Sequence, residues 1–155
     1  MTDREKDKKE EVSKVKTFVV PFALGDIKES ITINTNNNYQ SSKEEIVYKA
    51  FKFHSQGNIS EAIKYYQYFI AQGFKDHRVF VNYGTILKSQ GKLKEAELSH
   101  LKAIELNPDF ADAHLNLGII FKDLGKLQEA ELSTRKAIEL NPNLIEAHNN
   151  LGNIF

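Results

Sequence analysis

The chain contains no cysteine, so it can form no disulfide framework, hold no thiolate zinc site and use no cysteine nucleophile. That absence fits a reducing compartment, and the cytoplasm is the expected location. A charge excess is also missing: Lys plus Arg and Asp plus Glu number 21 each. With no surplus of cations to hold a phosphate backbone, nucleic acid is not an expected partner. Long apolar runs are absent too. The stretch Phe18 to Leu24 is broken by Pro21 and follows a segment of mixed charge, so neither a signal peptide nor a membrane span is expected. Proline occurs only three times in 155 residues, and the spacing of two of them is informative.

Pro108 and Pro142 stand 34 residues apart, as do Gly84, Gly118 and Gly152, the series Gly57, Gly91 and Gly125, and the series Ala62, Ala96 and Ala130. Four interleaved series with one period mark a tandem array of helix-turn-helix units. Each repeated residue has a physical task. His114, Leu117, Gly118 and Phe121 fall at i, i+3, i+4 and i+7, so they share one helical face, which is expected to be buried. Gly118 in the middle of that face implies a second helix packed close to the backbone, with Ala130 and Ala137 as its small surface. Gly125 is placed for a left-handed C-terminal cap, and Asn141 with Pro142 ends the following helix.

The segments KLKEAELSHLKAIELNP (92–108) and KLQEAELSTRKAIELNP (126–142) differ at three positions only. On these residues the chain resembles the tetratricopeptide repeat family, with units at 43–76, 77–110 and 111–144 and a partial unit at 145–155. The resemblance implies an all-α fold, a right-handed α-solenoid with a short non-repeat N-terminal segment. The first unit departs from the pattern, with Ala50 in place of the repeated glycine and no proline one period before Pro108. The aromatic usual in the second helix survives as Tyr66 and becomes His100 and then Thr134.

Outside the repeats, residues 1–16 carry dense charge of both signs and read as a disordered tail. Residues 17–42 hold an apolar stretch, with Phe18, Val19, Val20, Phe22, Leu24, Ile27, Ile31 and Ile33, followed by an Asn-rich linker. The apolar stretch reads as a cover for the open end of the first repeat or as a docking segment for a partner. Ser42 with Glu45 has the form of a capping box.

No catalytic residues, cofactor or metal are expected. His114 and His148 occupy one repeat position, but ligands 34 residues apart sit on successive units, about 8 to 10 Å from each other, too far to share one zinc ion. They read as partly buried core-face histidines, and the run Tyr65, Tyr66, Tyr68 and Phe69 reads as core. No phosphate loop, paired-histidine helix or nucleophile elbow occurs.

Opposite the buried stripe, at 100° per residue, lie Asp112, Asn116, Ile119 and Asp123, expected to be exposed. Their counterparts are Arg78, Asn82, Thr85 and Ser89 one unit earlier and Glu146, Asn150 and Asn153 one unit later. The resemblance implies that these first helices line a concave groove for peptides or partner helices, with Asn82, Asn116 and Asn150 as a ladder. Val81 and Thr85 stand where chaperone-binding members usually have lysine and asparagine, so a heat-shock tail is not the expected ligand. A non-catalytic protein-interaction scaffold is the reading that results. The alternative is the substrate-presenting arm of a larger transferase, since the pattern looks similar to repeats attached to O-linked N-acetylglucosamine transferases. At the C-terminus, Leu151, Gly152, Ile154 and Phe155 repeat a buried face without its partner helix, so self-association through that open face is expected.

Overall fold

Each turn between paired helices is fixed by one glycine. Gly57, Gly91 and Gly125 adopt φ of 73°, 75° and 74°, the left-handed conformation that a Cβ would oppose. The amide of the next residue then bonds back across the turn: Asn58 to the Phe53 carbonyl at 2.9 Å, Lys92 to Leu87 at 2.9 Å and Lys126 to Phe121 at 2.8 Å. This is the Schellman closure, and it satisfies carbonyls that the helix end leaves open. Among the described residues the computed structural model has seven helices: α1 (Lys43–Ser55), α2 (Ile59–Ala71), α3 (His77–Ser89), α4 (Leu93–Leu106), α5 (Ala111–Asp123), α6 (Leu127–Leu140) and α7 (Ile145–Gly152).

The structure describes residues 42–155 and two dipeptides, β1 (Thr17–Phe18) and β2 (Ile31–Thr32), which pair antiparallel with Phe18 opposite Ile31. This pair is a small addition to the all-α expectation. The expected tail 1–16 and most of the expected apolar segment and linker lie outside the described residues.

Between units the chain turns differently. Asn107 and Asn141 are extended, at φ of −145° and −140°, as the proline that follows each one requires. The first unit, which lacks that proline, ends on Gly73 at φ 73° instead. Ser42 accepts from the Glu45 amide at 3.2 Å, which is half of a capping box. The Glu45 carboxylate turns away to Lys49, 2.7 Å distant.

Helices pack in successive antiparallel pairs, α1 with α2, α3 with α4 and α5 with α6, and each second helix also abuts the next first helix. First helices α3, α5 and α7 touch in sequence, so they form one layer of a two-layer stack. Tyr66 and Phe69 of α2, both fully buried, pack with Val79 and Ile86 of α3. Gly118 sits where a Cβ would meet Thr134 Oγ1 and, at 3.2 Å, the Ala130 carbonyl oxygen. The close approach expected at this glycine is therefore present, but Thr134 takes the place assigned to Ala137. Ala137 instead packs with Leu115 and Ala147, between α5 and α7.

Candidate interaction surface

The outer side of α3 presents Arg78 and Ser89 exposed and Asn82 and Thr85 half-buried. Arg78 is tied to Asp76 by two bonds, Nε to Oδ1 at 3.1 Å and Nη2 to Oδ2 at 2.7 Å. Burial alone would raise the Asp76 carboxyl. The hydrogen bonds and charge of Arg78 outweigh it and hold the group below the usual carboxylate range. Thr85 Oγ1 donates to the Val81 carbonyl at 2.9 Å and Ser89 Oγ to the Ile86 carbonyl at 2.7 Å. These hydroxyls serve their own helix.

On α5, Asp112 and Asp123 are exposed, and Ile119 is half-buried against Leu115 and Ala137. The Asn116 Nδ2 donates to the Asp112 carbonyl at 2.9 Å. On α7 and just beyond it, Glu146 and Asn153 are exposed. Asn150 is not: it is only 5% exposed, and its Nδ2 donates to Thr134 Oγ1 at 2.8 Å. The expected three-rung ladder is thus corrected at its third rung. Asn150 faces back into α6, because the small Thr134 leaves room for its amide and offers an acceptor. The open rungs are Asn82, whose amide makes no hydrogen bond among the described residues, and the Oδ1 of Asn116.

The ladder also begins earlier than the sequence reading placed it. Thirty-four residues before Asn82 and Thr85 stand Tyr48 and Phe51, and Tyr48 is 63% exposed. The same period that revealed the asparagines was sufficient to find them.

The histidine assignments change as well. His114 is half-buried and His148 exposed, and their Nε2 atoms lie 2.8 Å and 2.9 Å from the carbonyl oxygens of Pro108 and Pro142 respectively. A carbonyl only accepts, so each Nε2 carries the proton. These rings brace the inter-unit turn and do not pack as core. His100 is the buried histidine, fully enclosed with neither ring nitrogen bonded. Burial, aided by the nearby Lys88 charge, pushes its imidazole down to about 4. Of the aromatic run, Tyr66 and Phe69 are core and Tyr65 stacks on Phe53 at 5.5 Å. Among the described residues no group of three or more His, Asp or Glu side chains could hold a metal ion, and no helix is long and apolar enough to cross a membrane.

Paired helices of constant length, glycine-closed turns and a layered core define a helical-repeat α-solenoid. Family models agree: one described as TPR repeat matches residues 84–125, and one described as tetratricopeptide repeat matches residues 111–144. No curated protein sequence matches the chain. Among solved structures it is similar to the first TPR of Spaghetti (RPAP3) bound to HSP90 peptide SRMEEVD, at 27% identity and a TM-score of 0.68, covering 77% of this chain and 94% of that one. It is also similar to the first TPR domain of human RPAP3, at 28% identity and a TM-score of 0.64, covering 72% and 88%. The Yersinia enterocolitica type III secretion chaperone SycD, in complex with a peptide of the translocator YopD, shares the fold at 21% identity and a TM-score of 0.67, covering 77% and 96%. Residues 84–144 thus match tetratricopeptide repeat models, and the chain shares the fold of TPR domains.

Proposed function

We propose that the chain is a non-catalytic interaction scaffold that binds an extended peptide or a partner helix along the layer of first helices. The observation that carries this reading is the pair Asn82 and Asn116. They occupy one position of adjacent, touching helices, and the amide of Asn82 and the Oδ1 of Asn116 make no hydrogen bond among the described residues. Each offers hydrogen-bonding capacity to a passing peptide group. Around them Arg78, Asp112, Asp123 and Glu146 supply exposed charge, and Thr85, Ser89, Ile119 and Asn153 complete the rim. Peptide complexes of similar domains support the reading. The ligand differs from a heat-shock tail, because Val81 is buried and the Thr85 hydroxyl is turned to the Val81 carbonyl. Neither offers the ammonium or amide that a terminal carboxylate requires.

The test is selection of extended peptides from a random 12-residue library on the full chain, followed by titration of a selected peptide. Asn82→Ala with Asn116→Ala should weaken binding about thirty-fold, from roughly 1 kcal/mol of net hydrogen bonding at each position. Unchanged affinity in the double variant, or failure to select any peptide, overturns the reading.

A further inference from the structure

Along the outer stripe of α5 every open polar group is an acceptor. The Asp112 and Asp123 carboxylates are exposed, and Asn116, its Nδ2 donating to the Asp112 carbonyl, leaves only its Oδ1. Glu146, one period after Asp112 on the touching helix α7, adds a third exposed carboxylate. Among the described residues these three acids form no ion pair. The second helices differ: Glu97, Glu105, Glu131 and Glu139 each have a Lys or Arg nitrogen at 2.7 to 3.1 Å. Nearby cations do not neutralise the stripe. Arg78, one period before Asp112, is tied to Asp76, and the half-buried Lys122 lies about 100° round α5 from Asp123.

Folding accounts for two of the three acids. Asp112 and Glu146 stand in the first turn of their helices, where the N-terminal dipole favours a carboxylate. Asp123 ends α5, where the dipole disfavours one. Its counterparts Ser55 and Ser89 donate to carbonyls of their own helices, Lys52 at 2.9 Å and Ile86 at 2.7 Å. An ionised carboxylate has no proton to donate, so Asp123 gives its helix end nothing in return for its charge.

We infer that the ligand of this surface is a basic peptide, its Lys or Arg side chains pairing with Asp112, Asp123 and Glu146 and a backbone amide donating to the Asn116 Oδ1. Eleven residues of helix separate Asp112 from Asp123 by about 16 Å, the span of about five extended residues. Cations four to six residues apart in the ligand can therefore engage both. The inference rests on the scaffold reading above and names the chemical class of its ligand.

The test applies the random 12-residue library to the full chain and to two variants of equal net charge. Peptides selected on the native chain should carry about twice the Lys and Arg of the input. Asp112→Asn with Asp123→Asn and Glu146→Gln should return that content to the input level and weaken a natively selected peptide about ten-fold, from the loss of three exposed pairs. Salt raised from about 0.05 to 0.5 M should weaken the native complex and leave that of the variant nearly unchanged. The control, Glu105→Gln with Glu129→Gln and Glu139→Gln, removes three exposed acids of the second helices and should keep the native selection. All six positions are exposed, and thermal melts confirm that both variants fold. Peptides selected without excess Lys and Arg overturn the inference while the scaffold reading stands. An equal loss in the control also overturns it, since the attraction would then be to net charge. Failure to select any peptide overturns both.

Discussion

Three glycines of one repeat position meet three different surroundings, and substitution separates them. At Gly118 a Cβ would press on Thr134 Oγ1 and on backbone atoms of Ala130 and Thr134 at 3.2 Å. Backbone there is held by α6, so Gly118→Ala should destabilise by about 2 kcal/mol, the strain outweighing a helix-propensity gain of about 1. At Gly152 nothing lies within 4 Å, so Gly152→Ala should keep the gain. Urea unfolding of both variants checks the contrast. Beside Gly84, His100 sets an acid sensitivity. Above pH 6.5 its ring is neutral in folded and unfolded chains alike, so it adds no pH dependence. Between 6.5 and about 4 the unfolded chain takes up a proton that the folded chain refuses, and stability should fall by about 3 kcal/mol. His54, lowered by burial as well, adds in the same direction. His100→Leu should remove most of the slope, and should stabilise at neutral pH because two unbonded buried nitrogens disappear.

At the scale of the helix, much of the fold was legible in the sequence because the period places glycine and proline where backbone geometry demands them. The turns at Gly57, Gly91 and Gly125 follow from left-handed caps, and the ends at Asn107 and Asn141 from the prolines after them. What was not legible is which way a polar side chain turns at a given rung. Asn82, Asn116 and Asn150 are one letter at one position, yet the residues sixteen places before them, on the preceding helix, are Tyr66, His100 and Thr134. Only the short hydroxyl of Thr134 draws its asparagine inward. The consequence is a split in stability: Asn82→Ala and Asn116→Ala should each gain about 0.5 kcal/mol of helix propensity, whereas Asn150→Ala should lose about 1 kcal/mol of buried hydrogen bonding. Thermal melts of the single variants decide it. Thr134→Val should mimic the Asn150 loss and speed amide exchange in α7, since that bond ties α7 to α6.

The whole molecule is a sum of repeat stabilities and the interfaces between neighbours, and its two ends differ. The α1 edge is charged, with Glu45 and Lys52 exposed and Lys49 bridging to Glu45. At the other end Leu151 and Ile154 are half-buried, Ile154 against the Leu117, Phe121 and Ala130 cluster, while Phe155 is 81% exposed. The open face expected in the sequence is therefore narrower than its four residues suggested, and Phe155 is its main apolar element. Appending a helix copied from residues 126–140 should raise the melting temperature by several degrees. An unchanged melting temperature would show that Phe155 lacks a seat for such a helix. Sedimentation at rising concentration should show association that Phe155→Ser abolishes.

The near-identity of α4 and α6 has a kinetic consequence. Helix α5 lies between them and packs on both, and the two differ at His100 against Thr134, Leu101 against Arg135 and Lys94 against Gln128. During refolding α5 can therefore close onto the wrong twin, one period out of register, with nearly native contacts. Escape from such a trap requires the pair to separate again. Refolding from denaturant should accordingly show a slow phase of substantial amplitude that proline isomerisation does not explain. Diverging the α4 sequence from that of α6 at solvent-facing positions should shrink that phase while leaving the stability of the folded chain unaltered.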